Sequence, residues 1–310
     1  TLFPYTTLFR SYFIFIGCII LFTVTLIADA LFWLLSFTPL LPKFSFCCRW
    51  LNWGNLALSL LFAAGALYAG VKVPVVKNVH IPSERLAREY TVVVLSDLHI
   101  HRVINPQKIE RIVSLANARN PDVVLLAGDI IDDDVRRVSK ITALLKGLKA
   151  SKGIYFVTGN HEFYAGYDET VRELANLGFM FLENDGAAVG EDLYLAGVPD
   201  TFAGAAYGKT PDLNRAFAKA GKGAFRLLVS HTPSDFAGRD FDLEVSGHTH
   251  GGQIFPFHIF AKLHNKYLSG LYPMPGGAEI YVSNGAGQWG PQMRFLAPSE
   301  ITVLKLTPEK

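Results

Sequence analysis

A short apolar run that ends in a polar cluster and gives way to a helical segment recurs along Tyr90 to Glu162, and few folds accommodate that repetition. Thr91 to Leu95 is β-branched and ends at Ser96-Asp97-Leu98-His99. Asp122 to Ala127 ends at Gly128-Asp129, and Gly153 to Thr158 ends at Gly159-Asn160-His161-Glu162. Runs this short and this apolar read as buried strands. After the first, Asn105 followed by Pro106 marks a helix start, because the Asn side chain caps free amides and proline lacks the N–H that would go unpaired. Ile109, Ile112, Val113 and Ala116 then fall on one helical face. Strands joined through helices present their carboxyl ends along one sheet edge, so the polar clusters converge there.

The downstream half is richer in strands. Phe179 to Leu182, Ala187 to Val189 and Asp192 to Ala196 read as strands, and Pro211 to Ala220 as a helix. Phe225 to Val229 leads into Ser230-His231-Thr232-Pro233, and Asp242 to Ser246 into Gly247-His248-Thr249-His250-Gly251-Gly252-Gln253. Strands around Ile254, at Glu279 to Ser283 and at Glu300 to Lys305 complete the domain. Two sheets packed face to face with helices outside hold this many strands.

Asp97, His99, Asp129, Asn160, His231, His248 and His250 each follow or flank an expected strand end, and all offer oxygen or imidazole donors. On an extended strand His248 and His250 would face the same way. A loop between glycines can splay them, so they could serve one ion or two neighbouring ions. A thiolate-free set of this kind suits Mn²⁺, Fe or Zn²⁺, and its imidazoles argue against Mg²⁺ or Ca²⁺ alone. The donors are too many for one tetrahedral ion. They suit two ions about 3.5 to 4 Å apart that share a carboxylate, an arrangement that clamps the attacking and leaving oxygens of phosphoryl hydrolysis.

The chain has 310 residues, 50% of them hydrophobic, and the apolar excess lies before residue 71. Residues 1–11 resemble the in-frame translation of a sequencing-library adapter and are expected to be an artefact. Residues 12–71 read as a membrane region with two transmembrane helices, about 12–37 and 51–71, each long enough to cross a bilayer. A signal peptide is the competing reading of the first, but no small-residue cleavage site stands out. Ala63 to Ala66 in the second, Ala-Ala-Gly-Ala, suits close helix packing. Residues 72–89 read as a linker and 90–310 as the catalytic domain. Lys72, Lys77, Arg85 and Arg88 outnumber Lys43 and Arg49, which favours an integral protein of the inner, cytoplasmic membrane with its domain on the cytoplasmic side. The formal charge of +2, without a basic run interleaved with aromatics, gives no support to nucleic-acid binding. Cys18, Cys47 and Cys48 all precede the domain, which therefore has neither a disulfide framework nor a thiolate zinc site.

Asp97-Leu98-His99, Gly128-Asp129-Ile130-Ile131-Asp132, Gly159-Asn160-His161-Glu162, Ser230-His231 and Gly247-His248-Thr249-His250 occur in an order that resembles the calcineurin-like metallophosphoesterase superfamily over roughly Thr91 to Leu306. That resemblance implies a four-layer α/β/β/α sandwich, preceded here by the transmembrane helices, and two divalent metal ions, with Mn²⁺ the first to try. It implies that Asp129 bridges the ions, that Asp97, His99 and His250 complete one site, and that Asn160, His231 and His248 complete the other. His161 is then the catalytic residue, contacting the substrate phosphate and protonating the leaving oxygen after attack by a metal-bound hydroxide. Asp132 and Glu162 are expected to orient imidazoles, as ligating histidines usually require. Lys266 to Tyr272, Asn284 to Pro291 and Pro298 to Thr302 look like a membrane-anchored branch. Some relatives in that branch cleave the pyrophosphate of UDP-2,3-diacylglucosamine and others are broad phosphodiesterases. The substrate implied is thus a phosphodiester or pyrophosphate, in one version lipid-linked.

His80, His101, His258 and His264 read as ordinary hydrogen-bonding histidines, with His101 close enough to His99 to line a site mouth. Asp133 and Asp134 read as the start of a helix, where carboxylates favour the dipole. Between Phe255 and Leu271, Phe257, Phe260 and Leu263 alternate with His258, Lys262, His264 and Lys266, and core packing and membrane contact explain this equally well. A non-catalytic membrane scaffold or metal-binding regulator on the same fold is the alternative function. A transporter lacks the intramembrane polar groups it would need.

Overall fold

The computed structural model describes residues 48–309 apart from 235 and 237–239, together with helical positions 21, 23–27, 29–31, 33 and 34. The adapter-like segment and most of the first expected span lie outside the described residues. The second expected span falls within α1 (Cys48–Val71), whose Trp53–Val71 stretch has a mean hydropathy of 1.6 and is only 17% buried, so it is long and apolar enough to cross a membrane. Its small residues serve close packing: Ala63 and Ala66 meet Ile254, Met293 and Phe295 of the domain, and Val24 joins the same cluster.

In chain order the domain comprises β1 (Val75–Ser83), β2 (Tyr90–Leu95), α2 (Pro106–Asn117), β3 (Val123–Ala127), α3 (Val135–Thr142), β4 (Ile154–Val157), α4 (Asn160–Asn176), β5 (Met180–Phe181) and β6 (Asp185–Ala188). There follow β7 (Leu193–Gly197), α5 (Leu213–Ala216), β8 (Phe225–Val229), β9 (Leu243–Ser246), α6 (Phe257–His264), β10 (Gly270–Pro273), β11 (Glu279–Val282) and β12 (Glu300–Pro308). One six-stranded sheet has the order β1-β12-β2-β3-β4-β5 and the other β10-β11-β9-β8-β7-β6. Strands β2, β3 and β4 are mutually parallel, as are β7, β8 and β9.

Strand alternation sorts the core into layers. Val92, Val94, Leu125 and Val157 point inward against Leu195, Leu227 and Val245 of the opposite sheet. Val93, Leu95, Val124 and Leu126 point outward and receive Ile109, Ile112 and Ala116 of α2, Val138 of α3 and Leu174 of α4. The Asn105 side-chain Oδ1 caps α2 by accepting from Gln107 N–H at 3.0 Å, and the Asp134 carboxylate caps α3 by accepting from Arg136 N–H at 3.0 Å. The outer face of the second sheet is covered thinly, by Ala216 of α5 and by Phe241, Tyr267 and Met274 from loops.

Three expectations need correction. The helix expected over Pro211 to Ala220 is only the single turn of α5, because Phe217 leaves helical geometry (φ −98°, ψ 7°) and its ring turns to Tyr194, 6.1 Å away. Ile254 makes an isolated bridge to Phe295 rather than a strand. The expected linker contains β1, paired in parallel with β12 from Val75↔Glu300 to Ser83↔Pro308. As an edge strand it buries only Ile81 and tolerates Pro82, so it lacked the apolar signature of its neighbours.

Candidate metal centre

The loops after β2, β3, β4, β8 and β9 meet where the two sheets bring their carboxyl ends together. Backbone bonds lock them: Asp97 N–H donates to Gly128 O at 3.0 Å, His99 N–H to Asp129 O at 2.9 Å, and Gly247 N–H to His231 O at 2.9 Å. Asp97, His99, Asp129, His248 and His250 all occupy the left-handed region, with φ of 54°, 47°, 52°, 67° and 50°. Non-glycine residues resist that region, so the surrounding bonds hold each loop against local preference. Gly159 and Gly247 permit the closest approaches, since a Cβ on the first would overlap Asp129 and His231, and on the second Asp97.

The donors fall into two clusters. In one, His99 Nε2 lies 3.0 Å from His250 Nε2, which is 3.2 Å from Asp97 Oδ1. In the other, His231 Nε2 lies 3.1 Å from Asp129 Oδ2, and His248 Nδ1 lies 3.0 Å from Asn160 Oδ1. Asp129 belongs to both: its Oδ1 accepts His161 N–H at 2.9 Å, while its Oδ2 also sits 3.8 Å from His99 Nε2. The set fits divalent ions on direct grounds. His231 Nδ1 lies 2.8 Å from Ala127 O, which fixes a proton there and turns Nε2 into the cluster. That Nε2 is fully buried without a hydrogen-bond partner, aimed at a carboxylate oxygen. Burial lowers the His231 imidazole, but the Asp129 carboxylate raises it well above its ordinary value, so a positive charge is favoured at that point, and Asp97, His99 and His250 as well as Asp129, His231 and His248 could each hold a cation.

Electrostatics separate the imidazoles. Burial pushes the His250 imidazole down to about 4 despite Asp97, helped by the nearby His99 and Arg294 charges, and Arg294 Nη2 lies 3.1 Å from its Nδ1. Burial, then the His231 charge, likewise lowers His248. Burial would raise the Asp97 and Asp129 carboxyls, but His250 beside the first and His231 beside the second hold both below the usual range. His161 stands at the cleft, partly exposed, with Nε2 3.9 Å from Asp129 Oδ2. Burial lowers it, but the bond from its Nδ1 to Asp132 and the Asp129 charge raise it to about 9.

Asp132 therefore orients imidazoles as expected, binding His161 through Oδ1 and lying 3.4 Å from His99 Nδ1 through Oδ2. Glu162 does something else. Its buried carboxylate accepts the N–H groups of Asp129 (3.0 Å), Ile130 (2.7 Å), Ile131 (3.0 Å) and Gly159 (2.7 Å), fixing the two loops that carry Asp129 and Asn160. Burial and Asp129 push it up to about 7 while these amide donors pull the other way. Sequence reading missed Arg294 altogether. Its fully buried guanidinium donates to Gly287 O at 2.6 Å, Asn284 O at 2.8 Å, Ala297 O at 3.0 Å and His250 O at 3.2 Å. A lone arginine between Met293 and Phe295 carries no local signal of that role. Asp200 was missed for the same reason, and it ties Thr232, beside His231, through a 2.6 Å bond from the hydroxyl.

His80 pairs with Thr307 and His101 with the His99 carbonyl, outside both clusters. Above the clusters opens a cleft of about 300 Å³, lined by His99, Asp129, Asn160, His161, His248 and His250 and by Phe257, Phe260 and Trp289. Asp97 and His231 form its buried floor.

Residues 90–252 match the family described as "Calcineurin-like phosphoesterase". Over 258 residues the chain is 37% identical to an "Uncharacterized metallophosphoesterase" of Helicobacter pylori, covering 82% of this chain and 69% of that one. It is 34% identical over 268 residues to a "Transmembrane protein with metallophosphoesterase domain" of Danio rerio, covering 81% of this chain and 61% of that one. Among solved structures, a 5'-nucleotidase precursor from Thermus thermophilus aligns at 17% identity and a TM-score of 0.44, over 71% of this chain and 54% of that chain.

Proposed function

The chain belongs to the calcineurin-like phosphoesterase family and is thus a metal-dependent phosphoester hydrolase, and on that premise we propose a membrane-anchored enzyme that cleaves a phosphodiester or pyrophosphate bond at a two-ion site. Asp97, His99 and His250 would hold one ion and Asn160, His231 and His248 the other, with Asp129 between the two sets. The observation that carries this reading is the position of Asp129 Oδ2, 3.1 Å from His231 Nε2 and 3.8 Å from His99 Nε2, between the two clusters. When bound, two divalent ions supply Lewis acidity at the phosphoryl oxygens and bring the pKa of water towards neutrality.

The chain's own residues do the rest. Asp132 holds His161 by Nδ1, which leaves Nε2–H facing the cleft to donate a proton to the leaving oxygen. Glu162 and Gly159 keep the Asp129 and Asn160 loops in register, and Arg294 fixes the carbonyl of His250. Mn²⁺ suits this oxygen and imidazole set. The apolar α1, the relatives named as transmembrane proteins and the phenylalanines lining the cleft support a lipid-linked substrate, such as UDP-2,3-diacylglucosamine. The basic residues after α1 support a domain on the cytoplasmic side of the inner membrane.

The test uses the purified full chain on an aryl phosphodiester, with metal content read alongside. Chelation abolishes turnover and Mn²⁺ restores it, whereas Asp129→Ala and Asn160→Ala stay inactive at any Mn²⁺ concentration. Unchanged metal-dependent turnover in both variants refutes the site assignment.

A further inference from the structure

The helix beside the cleft has no core to join. None of the residues of α6 is buried, and Phe257, Ile259, Phe260 and Leu263 are 39%, 47%, 63% and 80% exposed. Core packing therefore does not account for these side chains. Phe257 and Phe260 line the cleft, while Ile259 and Leu263 do not. Trp289 also lines the cleft and is half exposed. Lys262 and His264 lie in the last turn of the same helix, basic groups among apolar ones.

What covers this surface follows from its neighbour. Ile254, just before α6, packs with Met293 and Phe295 against Phe62, Ala63, Ala66 and Leu67 of α1. The Phe62 and Phe295 rings are 5.3 Å apart, and Arg294 N–H donates to Ala66 O at 2.9 Å. At the helical rise, Phe62 lies about 14 Å along the axis from Val71. A domain surface that touches Phe62 thus reaches the level of the bilayer wherever Trp53–Val71 crosses it. Ile254 of that contact is three residues before Phe257, where α6 begins.

We propose that α6 is a membrane-interface helix that seats the mouth of the cleft on the headgroup layer of the bilayer crossed by α1, so that the site takes a phosphoester presented by a lipid of that monolayer. Ile259 and Leu263 enter the acyl boundary, and Lys262 meets anionic headgroups. Phe257 and Phe260 then form the apolar threshold over which the lipid's phosphate passes to the metal ligands. This inference rests on the proposed anchoring by α1 and on the proposed phosphoesterase site.

The test reconstitutes the full chain in phosphatidylcholine vesicles containing phosphatidylglycerol. Leu263→Cys, with the three native cysteines replaced by serine, carries an environment-sensitive fluorophore, and its emission is expected to be quenched by spin-labelled lipids and spared by aqueous iodide. A probe quenched by iodide alone, or by neither, overturns the proposal, the second result pointing to a protein partner. In parallel, Ile259→Ser combined with Leu263→Ser is expected to slow hydrolysis of a diacylglyceryl p-nitrophenyl phosphate in the vesicles about tenfold, from lost interfacial burial. Turnover of soluble bis(p-nitrophenyl) phosphate stays within about twofold, because neither side chain lines the cleft. Equal losses on both substrates, or none on either, overturn the proposal. Inactivity of the unmodified chain on both diesters instead counts against the phosphoesterase reading while the quenching still judges α6, and extraction of the chain by carbonate removes the anchor and the proposal with it.

Discussion

The floor of the cleft and its rim obey opposite rules. On the floor, left-handed residues, close glycine contacts and buried carboxylates are each held by several bonds to distant segments, and Asp97 and His231 have no exposure. On the rim, no residue of α6 is buried and the helix displays large apolar side chains. Over-determination on the floor keeps donors converged despite local strain and mutual repulsion. The rim has no such constraint, which leaves its side chains available to whatever lies outside the protein. Floor substitutions should therefore strike chemistry or stability, and rim substitutions only access.

The largest expected effect is on proton donation. His161→Gln should reduce turnover of an aryl phosphodiester by about a thousandfold with metal content unchanged, because His161 faces the cleft outside the two sets proposed to hold the ions. Loss of metal together with activity would place His161 among the ligands instead. Next comes Arg294→Met, which leaves the carbonyls of His250, Asn284 and Gly287 without their donor and should cost about 3 kcal/mol of stability, measured by denaturant unfolding. An unaltered midpoint would show that the floor does not depend on that guanidinium.

Gly159→Ala introduces a Cβ into Asp129 and His231 and should weaken metal binding by about 2 kcal/mol, read by Mn²⁺ titration. A smaller effect is expected at the junction of domain and α1. Lys108 Nζ donates to Gly70 O at 2.9 Å and to Gln288 Oε1 at 2.6 Å, and burial with the nearby Arg294 charge pushes it down to about 7. The unfolded chain then binds the proton between pH 7 and the ordinary lysine value near 10.5, where the folded chain does not. Stability should rise with pH across that window by at most about 1.4 kcal/mol per unit, and Lys108→Met should flatten the rise. The smallest effect belongs to the rim: Trp289→Ala should change turnover of a soluble diester less than about twofold. A thousandfold loss there would erase the distinction between floor and rim.

Legibility in the sequence followed the range of the interaction involved. The buried strands β2, β3 and β4 stood out because burial on both faces leaves a nearly continuous apolar run, β8 did so despite Arg226, and α2 did so because its cap and its apolar face are local. Edge strand β1 and the single turn of α5 did not, since their fates turned on partners far along the chain, β12 for one and Tyr194 for the other. The donor residues were visible as polar clusters at strand ends. Glu162 was visible too, but its partners were not: a carboxylate near histidines suggested an imidazole, and folding gave it backbone amides instead.

By itself, the sequence determined that the polar clusters share one edge and that an apolar helix precedes them, because strand direction and hydrophobic period are local properties of the chain. Spacing alone left open whether His248 and His250 serve one ion or two, and the resemblance put them on different ions; in the fold His250 stands with Asp97 and His99 while His248 stands with Asp129 and His231, since two positive-φ residues splay those neighbouring side chains apart. Only tertiary structure decided that Arg294 backs His250 and that no residue of α6 is buried. Those outcomes depend on contacts between segments that no spacing in the chain records.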